Sequence, residues 1–150
     1  MTECKKEKFI LTTRIQRYRL TDRTRDELVR RLKDTLAWPQ WSSMEAAVIE
    51  RPGADGPSSP GEIRRFTRGG TTGREEVLDS AGDVVLRYRL IEGLPLRNYV
   101  GEVAITEDNG RRRVQWSASF DAPFLTGWIF AISMGRFFDS LLKDLTEARA

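Results

Sequence analysis

FLTGWIFAISMGRFFDSLLKDLTEA, residues 124–148, is the stretch on which the fold turns. Leu125, Trp128, Ile129, Ile132, Leu141, Leu142 and Leu145 recur at helical spacing, with Phe137 and Phe138 between them. The pattern predicts a long amphipathic helix with a wide, aromatic-rich apolar face. Pro123 separates it from what precedes. From residue 43 to that proline the chain reads as strands. A single long helix closing a run of strands lays its apolar face on one side of a sheet. If the sheet is strongly curved, a cavity forms between the two, and that cavity is the expected functional site.

Working upstream, alternation of β-branched and aromatic residues predicts strands over 112–121, 97–106, 84–91, 73–79, 62–68 and 44–50, and a first strand over 8–20. The connections carry turn chemistry: Arg68-Gly69-Gly70, Ser80-Ala81-Gly82-Asp83, Gly93-Leu94-Pro95 and Asp108-Asn109-Gly110. Residues 51–61 (RPGADGPSSPG) lack apolar periodicity and predict a mobile loop, a candidate lid. Thr24-Arg25-Asp26-Glu27 has the capping-box pattern, and Leu28, Val29, Leu32, Thr35 and Leu36 continue a helical stripe. Pro39 disfavours helical geometry at Trp38, so this helix is expected to end near Ala37. Strands joined in succession by short turns form an antiparallel meander. The expected class is α+β, one domain over residues 1–150 with residues 1–7 a flexible N-terminus.

Composition narrows the chemistry. The chain has 25 basic and 22 acidic residues, a near balance that gives little reason to expect nucleic acid as a partner. The basic run Arg111-Arg112-Arg113 follows Asn109-Gly110 and reads as a solvated hairpin tip, since phosphate binding uses basic residues spread over one face. The one cysteine, Cys4, excludes an internal disulfide and a cysteine-based structural metal site, in keeping with a reducing cytoplasm. No apolar h-region follows the charged first residues, and the longest apolar run, 127–134, is too short to cross a bilayer. A cytoplasmic protein without stable membrane insertion is expected. Histidine is absent, which excludes Ser-His-Asp and Cys-His catalysis and imidazole-bound metals. Chemistry must rest on carboxylates, tyrosines, arginines, lysines or water, and no metal or cofactor is expected.

Period-2 alternation assigns the inner face. Val114, Trp116, Ala118 and Phe120 share one face of their strand, Tyr99, Gly101, Val103 and Ile105 one face of theirs, and Leu86, Tyr88 and Leu90 alternate with Arg87 and Arg89. Buried tyrosine hydroxyls need partners, so an inner face carrying Tyr88, Tyr99 and Trp116 offers polar handles inside an apolar space. In each of the pairs Arg64-Arg65 and Glu75-Glu76 one member points inward, and alternation alone does not say which, because a single bulge inverts it. An inward Arg–Glu pair places a polar patch in the cavity and shifts the carboxylate's pKa. An outward pair is a cross-strand surface contact worth about 0.2–1 kcal/mol. Arg97, after Pro95, reaches the cavity mouth or lies on the surface; Trp38 and Trp41 flank Pro39 and either seal one end of the core or rim the pocket.

LAWPQWSS (36–43), GEIRRF (61–66), REEVLDSAGDVVLRYRLIEGLPLRNYVGEVAI (74–105) and RVQWSASF (113–120) occur in an order that resembles the START-like helix-grip superfamily (SRPBCC), in its polyketide cyclase/dehydrase and lipid-transport branch. No one motif is specific, but the ordered set is, and it spans about residues 8–147. The resemblance implies a curved seven-stranded antiparallel sheet gripping a long C-terminal helix, two short helices closing one end, and a deep cavity. It implies a small hydrophobic ligand, lipid-like or polyketide-like, and Trp41, Arg64, Glu76, Tyr88, Tyr99 and Trp116 as cavity-lining positions. A family of this kind supplies a pocket rather than a reaction.

Two functions fit. In the first, a cofactor-independent cyclase or dehydratase folds a flexible substrate, with Glu76 moving a proton, Arg64 or Arg65 stabilising an enolate or alkoxide and Tyr88 or Tyr99 donating a hydrogen bond. In the second, a non-catalytic carrier or sensor holds a hydrophobic ligand against Trp41, Tyr99, Trp116, Phe120, Arg97, Trp128 and Ile132. Whether the chain acts as monomer or homodimer is open, since no exposed apolar stripe separate from the core is visible in the pattern.

Overall fold

The computed structural model describes residues 10–147, so the expectations for residues 1–7 and for Cys4 lie outside the described residues. Seven strands, β1 (Ile10–Thr21), β2 (Ala46–Arg51), β3 (Ile63–Arg68), β4 (Thr71–Leu78), β5 (Val84–Glu92), β6 (Arg97–Asp108) and β7 (Arg111–Pro123), make one antiparallel sheet in the order β1-β7-β6-β5-β4-β3-β2. From β2 onward each strand pairs with the next, and β1 adds beyond β7, so that the first and last strands are neighbours. Asn109 and Gly110 turn β6 into β7 with φ of 50° and 82°, the left-handed pair that a two-residue hairpin requires. Register shifts interrupt the ladders at Ile49/Arg51, Arg74/Glu75, Val84/Leu86 and Arg97/Val100, and such bulges bend and twist a sheet locally. The inner face of the curve carries the expected set: Leu86, Tyr88, Tyr99, Val103, Ile105, Val114, Trp116, Ala118 and Phe120 are all buried.

Helix α1 (Arg25–Lys33) begins at the predicted capping box: Glu27 N donates to Thr24 Oγ1 at 3.2 Å and Thr24 N donates to Glu27 Oε2 at 3.3 Å. The helical path does not stop before Trp38. A 3₁₀ turn, Thr35–Ala37, runs straight into a short α2 (Trp38–Trp41), and Trp38 itself is helical at φ −54°, ψ −39°. Pro39 lies in the first turn of α2, where its missing N–H has no intrahelical partner to lose. Trp38 Nε1 donates to Leu32 O at 3.1 Å and ties the two helices together.

The segment over 51–61 also departs from expectation: it is pinned to the core. Ser58 and Ser59 are buried. Ser58 Oγ donates to Lys33 O at 2.9 Å, Ser58 N to Glu62 Oε1 at 3.0 Å, and Ser59 Oγ to Gly56 O at 2.7 Å. Serine hydroxyls supply partners for backbone groups that a proline- and glycine-rich stretch leaves over.

Helix α3 (Phe124–Glu147) packs across β1 and β7. Its second half is docked: Phe138, Leu141, Leu142 and Leu145 are buried, and Arg23 Nε donates to Thr146 O at 2.7 Å. The first half stands off. Leu125, Trp128, Ile129 and Ile132, placed by the sequence reading on the sheet side, are 76%, 61%, 51% and 47% exposed. Buried Gly127 faces Ala122 and Thr13 instead. Periodicity identifies residues that share a helix face; it does not say whether the sheet reaches that face. Here it leaves a cleft. No helix among the described residues is long and apolar enough to cross a membrane.

Leu141→Ala is expected to cost about 2–5 kcal/mol, as a truncation in a packed site does, whereas Leu125→Ser is expected to stay within about 0.5 kcal/mol. Urea denaturation of the two variants checks this; equal losses would mean that α3 docks along its whole length.

Candidate ligand-binding cavity

Between the standing-off half of α3 and the inner face of β3 to β6 lies a cleft of about 820 Å³, within the roughly 300–1,000 Å³ of small-molecule sites. The helix contributes Trp128, Ile129, Ile132 and Phe137, and the sheet contributes Phe66, Leu90, Tyr88, Tyr99 and Glu75. Gly93 and Leu94, between β5 and β6, close one side. Gly93 has φ 128°, and a Cβ there would meet Thr72 O at 2.6 Å, so this turn sits tight on β4 only because the residue is glycine.

Register decides which charges enter. Arg64 is the cross-strand partner of Glu75, and Ile63 of Glu76. Directly opposed residues point to the same face, so an inward Arg64 carries Glu75 inward and turns Glu76 outward. Arg64 is 0% exposed, and its Nε donates to Glu75 Oε1 at 3.1 Å. Its guanidinium carbon lies 4.9, 5.1 and 5.6 Å from the ring centres of Trp38, Phe66 and Tyr88. Nη1 donates to Thr35 Oγ1 and Ser58 Oγ, both at 3.4 Å, and Thr35 Oγ1 in turn donates to buried Glu62 at 2.8 Å. The pinned 51–61 segment is thus one wall of a buried polar network that ends at Glu75. Among the described residues, Arg64 Nη2 and Trp41 Nε1 are buried side-chain nitrogens without a hydrogen-bond partner.

Glu75 is the point where this network meets the cavity. Burial pushes its carboxyl above the ordinary value, against the opposing pull of Arg64. Beside it, Tyr88 Oη accepts from Trp116 Nε1 at 2.9 Å, and the Tyr99 ring lies 6.4 Å from the Tyr88 ring, centre to centre. An indole N–H can only donate, so this bond leaves the Tyr88 O–H free to act as a donor. Burial and the Glu75 charge raise the Tyr88 pKa, and burial and Tyr88 raise that of Tyr99, so both phenols stay protonated. Gly101, opposite Tyr88, makes room for the ring, which a Cβ there would overlap.

Of the residues singled out from the sequence, Tyr88, Tyr99, Trp128 and Ile132 line the cleft. Arg64 lies beneath it, behind Glu75. Trp116 and Phe120 are core residues behind the tyrosines, Trp116 stacked on Phe138 at 5.9 Å and Phe120 on Tyr99 at 6.0 Å. Trp41 packs on Trp38 at 5.1 Å and does not border the cleft. Arg97 is exposed at the start of β6. Glu76 is corrected outright: it lies on the outer face, bonded to Arg89 at 2.6 Å and Arg51 at 3.0 Å, and these arginines hold its carboxyl below the usual range. The sequence leaves Glu75 and Glu76 as alternatives, which the structure resolves to Glu75, and gives no indication of Phe66, Arg68 or Arg136. The signal was present in Gly69-Gly70: a two-residue turn there fixes Arg64 opposite Glu75. Among the described residues no cluster of three or more Asp, Glu or Cys side chains could hold a metal ion.

Because Glu75 binds its proton more tightly in the fold than in the unfolded chain, the folded state holds more protons as pH rises past the ordinary carboxylate value. Stability must then fall with pH over that window. Wild type is expected to lose stability relative to Glu75→Gln as pH rises above 4.5, measured by urea unfolding at a series of pH values. A pH-independent difference would contradict it. Arg64→Ala strands the buried Glu75 carboxylate and removes a donor from Thr35 and Ser58, and is expected to cost about 3–5 kcal/mol. Adding Glu75→Gln should recover part of that loss.

Solved structures share this architecture at low sequence identity. A protein from Nitrosospira multiformis is 19% identical over 89% of this chain and 94% of its own, with a TM-score of 0.72. One from Thermobifida fusca is 20% identical over 89% of this chain and 91% of its own, also at 0.72. A START superfamily protein from Mycobacterium smegmatis is 16% identical over 91% of this chain and 94% of its own, at 0.69. No curated protein sequence matches the chain. The family model for polyketide cyclase / dehydrase and lipid transport matches residues 12–148, and the chain belongs to that family.

Proposed function

We propose that the cleft binds one small hydrophobic molecule, lipid-like or polyketide-like, lying along the exposed apolar face of α3 with a neutral polar group set against Glu75 and Tyr88. The observation that carries this reading is a mostly apolar cleft with Glu75 and Tyr88 set in its inner wall. The family description, polyketide cyclase / dehydrase and lipid transport, points the same way.

One observation favours chemistry as well as binding. Glu75 is a carboxyl with a raised pKa at the cavity wall, its side chain 18% exposed, next to a phenol that has a proton to donate. In a cyclisation, the Glu75 carboxylate takes a proton from a carbon next to a substrate carbonyl. The Tyr88 O–H hydrogen-bonds the oxygen that becomes the enolate. The enolate carbon then attacks a second carbonyl of the same chain, and Glu75 returns its proton to the new alkoxide. Arg64 is a positioning residue here: it touches Glu75, not the cleft. Without such a substrate the same geometry is a carrier site.

Gly73 faces the cleft across from Phe66, its φ is ordinary, and a Cβ there meets nothing closer than Leu90 at 3.9 Å. Gly73→Phe is therefore expected to fill the cleft while the protein still folds. Native mass spectrometry of the purified protein, followed by denaturing extraction, should release an apolar molecule from wild type and little or none from Gly73→Phe. Equal loading of both proteins would remove the ligand from this cleft. Glu75→Gln should keep binding and, if the released molecule is a substrate, lose turnover at least 100-fold.

A further inference from the structure

The charges lining the cleft are unevenly placed. At the inner end Glu75 is compensated by Arg64 at 3.1 Å. Nearer solvent the lining carries two more charges, both positive: Arg68 and Arg136. Both are exposed, and neither forms an ion pair with a described residue. Other arginines of β3, β4 and β5 do find carboxylates: Arg65 and Arg74 share Glu50, and Arg89 holds Glu76. Among the charged side chains that line the cleft, Arg68 and Arg136 are the two without a carboxylate partner.

Their positions follow from the elements that carry them. Arg64, Phe66 and Arg68 alternate along the inner face of β3, so Arg68 sits at the outer end of the row that begins under the cavity floor. Its Nε donates to Ser43 Oγ at 2.8 Å, and its guanidinium lies 4.8 Å from the centre of the Phe137 ring. These contacts hold the group in place and leave its Nη nitrogens undirected. Arg136 follows Ile129 and Ile132 on the cleft side of α3 at i+7 and i+4, next to Phe137. The two guanidinium groups thus come from opposite walls to one mouth, and the apolar stripe of Trp128, Ile129 and Ile132 leads away from it.

We infer that the ligand is an amphiphile: besides the neutral group set against Glu75, its apolar chain carries an anionic head, a carboxylate or a phosphate monoester, held at the cleft mouth by Arg68 and Arg136. The inference rests on the binding reading above and adds the head group and its orientation. Guanidinium is suited to both heads because its fork of donors matches their paired oxygens. The inner end admits no anion, since Glu75 is already there and the Arg64 charge is committed to it. The head therefore lies at the mouth and the tail along α3.

The test uses the full chain and three probes of equal chain length below their micelle concentrations: sodium dodecanoate, dodecyl phosphate and dodecan-1-ol. Each displaces a neutral fluorescent probe, N-phenyl-1-naphthylamine, from wild type, from Arg136→Gln and from Arg68→Gln/Arg136→Gln. One or both anions are expected to bind wild type about tenfold tighter than the alcohol, and which anion binds more tightly identifies the head. The preference should shrink in Arg136→Gln, nearly vanish in the double variant, and weaken in 0.5 M salt while alcohol binding stays constant. Arg136→Gln alters an exposed, unpaired side chain, so the inference does not depend on the double variant folding. Equal affinity of alcohol and anions for wild type, or a preference that survives Arg136→Gln unchanged, overturns the anionic head and leaves the cleft reading standing. Failure of all three to displace the probe overturns both.

Discussion

A guanidinium with no exposed surface is the constraint around which this site is built. Removing a charge from water costs several kcal/mol even after relaxation, so Arg64 is tolerable only if its surroundings return that cost. They do so from three directions. Glu75 meets its Nε, Thr35 and Ser58 meet Nη1, and the faces of Trp38, Phe66 and Tyr88 surround its plane. Each requirement fixes a different part of the chain. The 3₁₀ turn between α1 and α2 is held to bring Thr35 in. The proline-rich segment before β3 is held to bring Ser58 and Glu62 in. Tyr88 keeps its place because Gly101 gives its ring room and Trp116 bonds its hydroxyl. The floor of the cleft is thus the point where the 3₁₀ turn, α2, the 51–61 segment and strands β3 to β5 converge on one charge.

The opposite wall is made differently. Helix α3 is anchored by its second half, where leucines and Phe138 meet β1, β7 and α1, and its first half projects over the cleft with large apolar residues uncovered. A stripe of Leu125, Trp128, Ile129 and Ile132 costs solubility and adds little to the fold. Trp128, Ile129 and Ile132 continue from this stripe into the cleft lining, which is the arrangement the proposed ligand would cover. A stiff polar floor and a greasy overhang together define a site that orients its contents by polarity.

Much of this was legible in the residues. The strands, their inner faces, the hairpin at Asn109-Gly110 and the α1 capping box follow from alternation, turn chemistry and spacing, all short-range signals. The site was legible in part. Tyr88, Tyr99, Trp128 and Ile132 were found because inward parity within one strand needs no long-range information. Alternation within one strand leaves Glu75 and Glu76 open, and the family resemblance points to Glu76; pairing β3 with β4 through Gly69-Gly70 couples the choice at 64 to the choice at 75. The docked and undocked halves of α3 look alike in sequence, since a leucine at position 125 and one at position 141 contribute equally to periodicity. The 51–61 segment reads as loose because its anchors are serine hydroxyls to partners on α1 and at Glu62, which no local pattern announces.

The floor and the overhang also act on one another through Glu75. Its carboxyl retains a small exposure to the open cleft, and its proton affinity is set by a contest between burial, which favours the neutral acid, and Arg64, which favours the anion. A ligand of the proposed kind, lying along α3, would remove that last water contact without touching Arg64. Burial then gains on the opposing charge, and the carboxyl binds its proton more tightly in the filled cleft than in the empty one. By linkage, an apolar ligand must bind more tightly where Glu75 is protonated, and binding must take up protons at a pH where the empty site is partly ionised. A neutral polar group on the ligand that donates to the carboxylate reverses the sign, because it favours the anion. Proton uptake or release on binding therefore reports which kind of group the ligand presents to the floor, and so whether Glu75 meets its ligand as an acid or as a base.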